Sequence, residues 1–212
     1  TEKKKISLSR DYVGQKPLFY AKNDNYYIFS SQLNGIILDK NSSTKVSKKN
    51  LKKYFTYSFI PAPHTLYENI YQVEPGENII INLQNLNISK KKYWDLKNGA
   101  DYNTFFNKIS ESQFRKQFEE IIKQHSIADK MPALSLSGGI DSYIIMNYFT
   151  QLEKDCSSFT LGFENKSFDE SRYVKKIKKK LNKKIHYANE EELISSLLKI
   201  SKLVSEPNGD SS

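Results

Sequence analysis

The sequence has few of the residues that build disulfide frameworks, metal centres or membrane spans. Its single cysteine, Cys156, excludes an internal disulfide, and no apolar signal segment follows the basic start, so we expect a cytoplasmic location. The three histidines, His64, His125 and His186, are far apart and lack partners in metal-ligand spacing. No apolar run approaches the ~18 to 20 residues that a membrane span needs. A disulfide framework, a histidine-based metal centre and a membrane span are therefore not expected.

The sequence is also poor in arginine, which weakens its positive charge as an indication of nucleic-acid binding. The formal net charge is +9, yet only Arg10, Arg115 and Arg172 are arginines. Surfaces that clamp phosphates or read bases favour arginine interleaved with aromatic rings. Lysine on solvated helix faces accounts for the charge, so nucleic acid is not expected as a partner.

What the sequence does contain indicates two globular regions. Hydrophobic residues make up 38% and charged residues 27% of the chain, which is close to globular averages and argues against wholesale disorder. Residues up to about 96 form short strand-like runs separated by turns, over 6–9, 18–21, 26–30, 78–83 and 88–94, with one helix that Ser47 can cap. Turn residues then cluster over 97–103, where the periodicity changes. We expect one domain over residues 1–98 and a second over 104–212.

The second region alternates between helix and strand. Ser110-x-x-Gln113 and Ser167-x-x-Glu170 are capping boxes that predict helix starts. Strands are expected over residues 132–136, 159–163 and 185–188, and helices from residue 142 and over 190–204. This alternation is typical of a doubly wound parallel sheet, which binds ligands at the carboxyl ends of its strands. Two leucines, at positions 136 and 161, lie at or near such ends.

The most informative segment is SGGIDS, residues 137–142, here called the Gly-Gly loop, which joins a predicted strand to a predicted helix. Paired glycines let a backbone approach an anion closely, and the following helix directs unpaired N–H groups at it. Ser137 and Ser142 add hydroxyl donors, and Asp141 adds a carboxylate suited to Mg²⁺. The loop therefore predicts a phosphate site; the alternative is an ordinary strand-to-helix turn.

Four other charged residues are given structural roles. Asp169 and Glu170 are interpreted as helix-capping groups rather than Mg²⁺ ligands. Arg10 and Asp11 are adjacent, so an extended backbone would point them to opposite faces. We expect them to stabilise the fold of the first region rather than to act in catalysis.

Several collinear stretches resemble one enzyme family. The Gly-Gly loop matches SGGxDS, the pyrophosphate loop of the ATP pyrophosphatases. Residues 10–21, RDYVGQKPLFYA, resemble the RDxxGxKPLYYA segment late in the glutaminase domain of the glutamine-hydrolysing asparagine synthetases. Residues 61–96 resemble the stretch that joins the two domains of that family. Residues 137–142, 159–163, 167–171 and 206–212 resemble its synthetase domain, in order.

The resemblance implies a fold and a reaction. The chain would hold the central part of such an enzyme: the end of a β-rich N-terminal nucleophile (glutaminase) sandwich, followed by the start of a doubly wound α/β sheet of the ATP pyrophosphatase type. The implied reaction is the amidation of aspartate with ammonia from glutamine, through a β-aspartyl-AMP intermediate, with ATP and Mg²⁺.

It also implies a set of site residues. The residues implied to bind ATP and pyrophosphate are Leu136, Ser137, Gly138, Gly139, Asp141, Ser142 and Leu161. Asp141 would also ligate Mg²⁺, and Asp210 is a candidate for the amino-acid pocket. Aspartate, glutamine and ATP are the expected small-molecule partners, and a homodimer is the candidate assembly.

The sequence departs from the family pattern in ways that keep alternatives open. It contains neither the glutaminase cysteine nor the acidic SGxGxDE motif, so we expect no catalytic residue in the chain and no activity from it alone. Gln32, Asn34 and Tyr143 replace the family's usual Glu, Lys and Ser. One alternative is an amide-forming ATP pyrophosphatase that acts on another carboxylate, as β-lactam synthetases or polysaccharide and natural-product enzymes do. The others are a tRNA-modifying ATP pyrophosphatase and a scaffold that adenylates nothing.

Overall fold

The computed structural model describes residues 4–96, 109–152, 156–167, 169–177, 181–207 and 209, without the side chains of residues 190 and 202. The chain divides into two compact units, Thr1–Tyr102 with Ser201–Ser212, and Asn103–Ile200. The predicted linker, residues 97–103, lies outside the described residues. The domain limits at 98 and 104 stay predictions.

The first unit is built mainly from short antiparallel strands. Its elements are β1 (Lys5–Ser9), β2 (Phe19–Lys22), β3 (Tyr27–Ser30), α1 (Leu33–Ile37), α2 (Lys48–Tyr57), β4 (Ile70–Gln72), β5 (Glu77–Asn82) and β6 (Ile88–Lys92). Within the described residues, the strands form two sheets with the orders β1-β5-β6 and β3-β2-β4. All pairs in both sheets are antiparallel.

Strand β2 connects the layers of this unit because its successive side chains point to opposite faces. Tyr20 packs in a buried cluster with Leu8, Val73, Ile79 and Ile81, which ties β2 to the other sheet. Its neighbours face the opposite side, in a cluster formed by Phe19, Ala21, Leu33, Ile36 and Ile70. Full burial of an apolar side chain of this size stabilises by about 1.5–3 kcal/mol. The β-rich first unit therefore has apolar cores on both faces of β2.

The sequence predicted most of these elements. Strands were expected at the positions of β1, β2, β3, β5 and β6, and the cap of α2 is confirmed, since Ser47 Oγ accepts from the Asn50 amide at 3.4 Å. The sequence did not predict α1 or β4, which are five and three residues long. Elements this short show too little periodicity to be recognised.

The second unit is a mixed α/β structure with a parallel sheet. Its elements are α3 (Glu111–His125), β7 (Ala133–Ser135), α4 (Ile140–Leu152), β8 (Ser157–Phe163), α5 (Ser171–Lys175), β9 (Asn182–Ala188) and α6 (Glu190–Leu203). β7, β8 and β9 are parallel and lie side by side in sequence order. Helix α6 ends in the segment that is grouped with the first unit. No helix in the described part of the chain is long and apolar enough to cross a membrane.

The core of this unit lies on one face of the sheet. Its buried cluster is formed by Ile122, Leu134, Leu136, Met146, Phe149, Cys156 and Val174, from helices α3, α4 and α5 and the strand region. On the opposite face of β8, Phe159 is 49% and Leu161 is 48% exposed. The described strands also show no reversal of order. The parallel sheet is therefore confirmed, while the doubly wound arrangement with helices on both faces stays a prediction.

One of the two predicted capping boxes in this unit is confirmed and the other is wrong. Ser110 Oγ accepts from the Gln113 amide, and the Gln113 side chain accepts from the Ser110 amide at 2.9 Å, which opens α3. The second box does not form, because α5 begins only at Ser171. The side chain of its N-cap residue, Glu170, makes no capping hydrogen bond to the helix.

Candidate functional site

The Gly-Gly loop forms a compact bend between β7 and α4, held together by its two serines. The Ser137 and Ser142 hydroxyl oxygens lie 2.9 Å apart. Ser142 Oγ also lies 3.0 Å from the Gly139 carbonyl oxygen, and it accepts from the Ser137 amide at 3.3 Å. Residues 137–141 are exposed, so the loop presents its main chain to solvent at the N-terminus of α4.

The two glycines of the loop have different neighbours. A Cβ on Gly138 would lie 2.8 Å from Tyr173 Cδ2 and 3.2 Å from Glu170 Cβ. A Cβ on Gly139 would meet only Ser137 Oγ, at 3.3 Å. Neither glycine has a positive φ. Gly138 is therefore required by close packing against the start of α5 rather than by left-handed backbone.

The Gly138 amide already binds an anionic group. It donates to Glu170 Oε2 at 3.1 Å, across 32 positions of sequence. Asp169, and not Glu170, bonds to the start of α5, because Asp169 Oδ1 accepts from the Ser171 amide at 3.0 Å. The bond from the Ser171 side chain is the main cause that lowers the pKa of Asp169. The structure thus confirms a capping role for Asp169 and gives Glu170 a different contact.

A cavity of about 620 Å³ opens beside this loop within the second unit. It is lined by Ser137, Gly138, Gly139, Ile140, Tyr143, Tyr173, Lys176 and Ile177. Three of these, Tyr173, Lys176 and Ile177, come from α5 and the residues that follow it, and sequence reasoning did not place them at the site. The sequence offers little signal for Lys176, since lysines are frequent throughout this region.

The leucines predicted to contact a nucleoside lie at adjacent strand ends. The Leu136 amide donates to the Phe159 carbonyl at 2.9 Å, and the Leu136 carbonyl accepts from Thr160 Oγ1 at 2.7 Å. The main-chain groups of Phe159 thus point toward β7. Alternate residues of a strand point their main-chain groups to the same side, so those of Leu161 point there too, past Ser135, where β7 ends.

Asp141 lies in the first turn of α4 with an exposed side chain. Within the described residues, no three His, Cys, Asp or Glu side chains cluster closely enough to hold a metal by themselves. Mg²⁺ keeps several waters and is commonly held by one or two carboxylates together with substrate phosphates. A single carboxylate beside a phosphate loop fits that mode of binding. Asp210, the candidate for an amino-acid pocket, lies outside the described residues.

Arg10 and Asp11 form a closed network in the first unit. Arg10 is buried and donates to three main-chain carbonyls, those of Lys16 at 2.9 Å, Val73 at 2.8 Å and Gly14 at 2.8 Å. The Asp11 carboxylate accepts from the amides of Gln15 and Lys16 at 2.8 and 2.9 Å. These contacts agree with the structural role expected for both residues.

The same unit contains a second cavity of about 620 Å³, which both Arg10 and Glu206 line. Burial raises the pKa of the Glu206 carboxyl to about 7, and the Arg10 guanidinium offsets that effect only in part. Glu206 Oε1 is buried and finds no hydrogen-bond partner among the described residues. Sequence reasoning gave Glu206 no role beyond its place in the resemblance.

Comparison with known proteins separates the chain into two family regions. Residues 1–94 match the family described as "Glutamine amidotransferase domain", and residues 113–212 match the family described as "Asparagine synthase". Together these define a class of proteins in which a glutamine amidotransferase region is followed by an asparagine synthase region.

Curated relatives match most of the length of this chain. The chain is 34% identical over 221 aligned residues to a putative glutamine-hydrolysing asparagine synthetase of Methanocaldococcus jannaschii. This alignment covers 99% of the chain and 42% of that protein. It is 28% identical to asparagine synthetase 1 of Bacillus subtilis, over 76% of the chain and 25% of that protein. The human asparagine synthetase is 23% identical over 78% of the chain and 29% of that protein. The chain belongs to the glutamine-hydrolysing asparagine synthetase family, and it spans less than half the length of these relatives.

Proposed function

We propose that the Gly-Gly loop binds the β and γ phosphates of ATP in an enzyme that amidates aspartate through β-aspartyl-AMP, with ammonia from glutamine. The observation that carries the proposal is an exposed loop amide, that of Gly138, which bonds to a carboxylate at the edge of a 620 Å³ cavity. An amide that takes one anion is placed to take another. The similarity to asparagine synthetases supports the reaction, and the geometry of the loop supports a phosphate site there.

The residues of the chain act by binding and orienting the nucleotide. Main-chain amides of Gly138 and Gly139 and the hydroxyls of Ser137 and Ser142 supply neutral donors for the departing pyrophosphate, which stabilise charge as it develops there. Lys176 lines the same cavity and supplies the cation that the loop itself lacks.

The adenosine end is assigned to the neighbouring strand ends that carry Leu136 and Leu161. Asp141 would hold Mg²⁺, which on binding neutralises charge on the pyrophosphate.

Further parts of the assignment belong to the same proposal. We place the glutaminase region at 1–98, as part of an N-terminal nucleophile sandwich, and the start of a doubly wound ATP pyrophosphatase sheet at 104–212. A cytoplasmic location and a homodimer complete the proposal. We expect no turnover from these 212 residues by themselves, because the sequence contains no glutaminase cysteine and no acidic SGxGxDE motif.

The test is exchange of labelled pyrophosphate into ATP by the complete gene product, with aspartate as the added acid. We expect exchange that depends on aspartate, and a loss of at least tenfold in Asp141→Asn, since the change removes the proposed metal ligand. Asp129→Asn is the matched control, because Asp129 is also exposed but lies ahead of β7. Exchange that ignores aspartate and responds to another carboxylic acid would instead identify a related amide-forming enzyme. Equal exchange in Asp141→Asn and Asp129→Asn would contradict the role of Asp141.

A further inference from the structure

Glu170 makes a contact that neither the capping pattern nor the proposed reaction explains. Its carboxylate leaves the helix that it precedes and accepts a hydrogen bond from Gly138, an amide of the proposed phosphate site. A carboxylate oxygen and a phosphate oxygen are both anionic acceptors, and one N–H group donates well to only one of them at a time. The Gly138 amide of the loop is therefore engaged by an anionic side chain of the protein itself.

The backbone that carries Glu170 is firmly held. Asp169 bonds to the Ser171 amide, and the Ser171 hydroxyl lies 2.9 Å from the Tyr187 hydroxyl. Ser171 and Val174 are both fully buried. The first turn of α5 cannot easily withdraw, so the Glu170 side chain is the part that can move. That side chain is exposed and can rotate into solvent.

We infer that Glu170 is a built-in competitor of the phosphate at the Gly138 amide, holding the loop in shape until a polyphosphate displaces it. The inference rests on the proposed function of the Gly-Gly loop. A ligand that takes the amide must break the hydrogen bond to Glu170 and bring negative charge close to the displaced carboxylate. Glu170 therefore weakens polyphosphate binding, and it does so most strongly when no divalent cation screens the ligand.

The test is the binding of inorganic pyrophosphate to the chain in the presence of EDTA, measured by calorimetry. Glu170→Gln keeps the size of the side chain and an acceptor oxygen but removes the charge. Because hydrogen bonds to charged acceptors are roughly twice as strong as neutral ones, we expect about fivefold tighter binding in this variant. The matched control is Glu164→Gln, which makes the same charge change at an exposed position after β8 that does not line the cavity. We expect the control to bind as the unsubstituted chain does.

A second readout tests the contact without any ligand. In ¹H–¹⁵N spectra, Glu170→Gln should shift the Gly138 amide, while Glu164→Gln should leave it in place. An unmoved Gly138 amide in Glu170→Gln would overturn the contact itself. A merely structural role for Glu170, in which its contact only holds the loop in shape, predicts the opposite sign in calorimetry, which is weaker binding in Glu170→Gln.

The outcomes separate this inference from the proposed function. Pyrophosphate that binds the unsubstituted chain and binds Glu170→Gln equally or less tightly overturns the competition and leaves the loop as a phosphate site. No pyrophosphate binding in any of the three proteins, with a shifted Gly138 amide in Glu170→Gln, overturns the proposed function and the competition together. Tighter binding in Glu170→Gln alone supports both.

Discussion

Two of the segments that carry the family resemblance, residues 10–21 and the Gly-Gly loop, use their polar groups in opposite ways. In the first, Arg10 donates to three main-chain carbonyls and Asp11 accepts from two amides, so the segment satisfies its own polar groups. In the second, residues 137–141 are exposed and one amide bonds to an exposed carboxylate that can leave. A closed network serves the fold, whereas an open one can serve a ligand. The partners of a motif's hydrogen-bond donors therefore distinguish a structural motif from a ligand-binding one.

The largest effect on stability is expected in the closed segment. Arg10→Met removes three hydrogen bonds and leaves the buried Val73 carbonyl unsatisfied, so the free energy of unfolding of the first unit should fall by about 3 kcal/mol. Urea denaturation followed by tryptophan fluorescence can measure it, because the single tryptophan, Trp94, lies in this unit with its ring centre 5.6 Å from that of Tyr12. Lys48→Met removes an exposed charge from α2 and should change stability by less than about 0.5 kcal/mol. Equal losses in the two variants would mean that the Arg10 network is not structural.

Substitutions in the Gly-Gly loop should change ligand binding rather than the stability of the first unit. Gly138→Ala places a Cβ 2.8 Å from Tyr173, which displaces the loop from α5 and should weaken pyrophosphate binding by at least about tenfold. Gly139→Ala has its nearest contact at 3.3 Å, with a side-chain oxygen that can move, so its effect should be smaller. Calorimetry on both variants checks this order. A larger loss of pyrophosphate binding in Gly139→Ala than in Gly138→Ala would contradict the close contact between Gly138 and Tyr173.

The half-buried Glu206 predicts a pH dependence of stability in the first unit. Its pKa of about 7 in the folded chain lies above the ordinary value of 4.5, so the folded state keeps the proton longer than the unfolded state does. Stability should be greatest below pH about 4.5 and should fall as the pH rises through about 7. The loss is on the order of 2 kcal/mol after allowance for partial exposure.

Glu206→Gln tests this pH dependence by replacing the carboxyl with a neutral amide. Thermal unfolding should then lose the decrease between pH 5 and 8, and the variant should be the more stable protein at pH 8. Glu68→Gln is a suitable control, since Glu68 pairs with Lys45 in a partly exposed salt bridge and should leave the pH profile unchanged. If stability still decreases between pH 5 and 8 in Glu206→Gln, the decrease is caused by another titratable group.

The smallest change in stability is expected from removing one helix cap in each unit. Ser47→Ala in α2 and Ser110→Ala in α3 each remove an oxygen that accepts from a first-turn amide, at 3.4 and 3.3 Å, and each should cost about 1 kcal/mol. Ser110→Ala should cost slightly more, because it also disrupts a reciprocal capping box. Urea denaturation followed by circular dichroism measures both. A negligible cost in both would show that packing alone fixes these helix ends.

The sequence predicted those features that depend on neighbouring residues. The position of the Gly-Gly loop, most strands of both units and the caps at Ser47 and Ser110 all follow from local patterns. The site around the loop could be predicted only in part. The contact between Gly138 and Glu170 spans 32 positions and exists because the turn after β8 returns beside the end of β7.

Helix-capping patterns also allow more than one outcome. The residues at 167–170 fit a capping box, yet Asp169 bonds to the start of α5 and leaves Glu170 free to reach the loop. Lys176 could not be selected among so many lysines without knowledge of the cavity. The partners within a site are set by strand order and helix position, which a local pattern does not contain.

The central claim is that the Gly-Gly loop holds the β and γ phosphates of ATP. The most direct measurement is a crystal structure of the chain grown with Mg²⁺ and α,β-methylene-ATP, in which the bond that would be cleaved is replaced by a stable one. The account predicts β- or γ-phosphate oxygens within hydrogen-bond distance of the Gly138 and Gly139 amides and of Ser142 Oγ, with the Glu170 carboxylate turned away. Nucleotide bound elsewhere at full occupancy, with Glu170 still on Gly138, would contradict it.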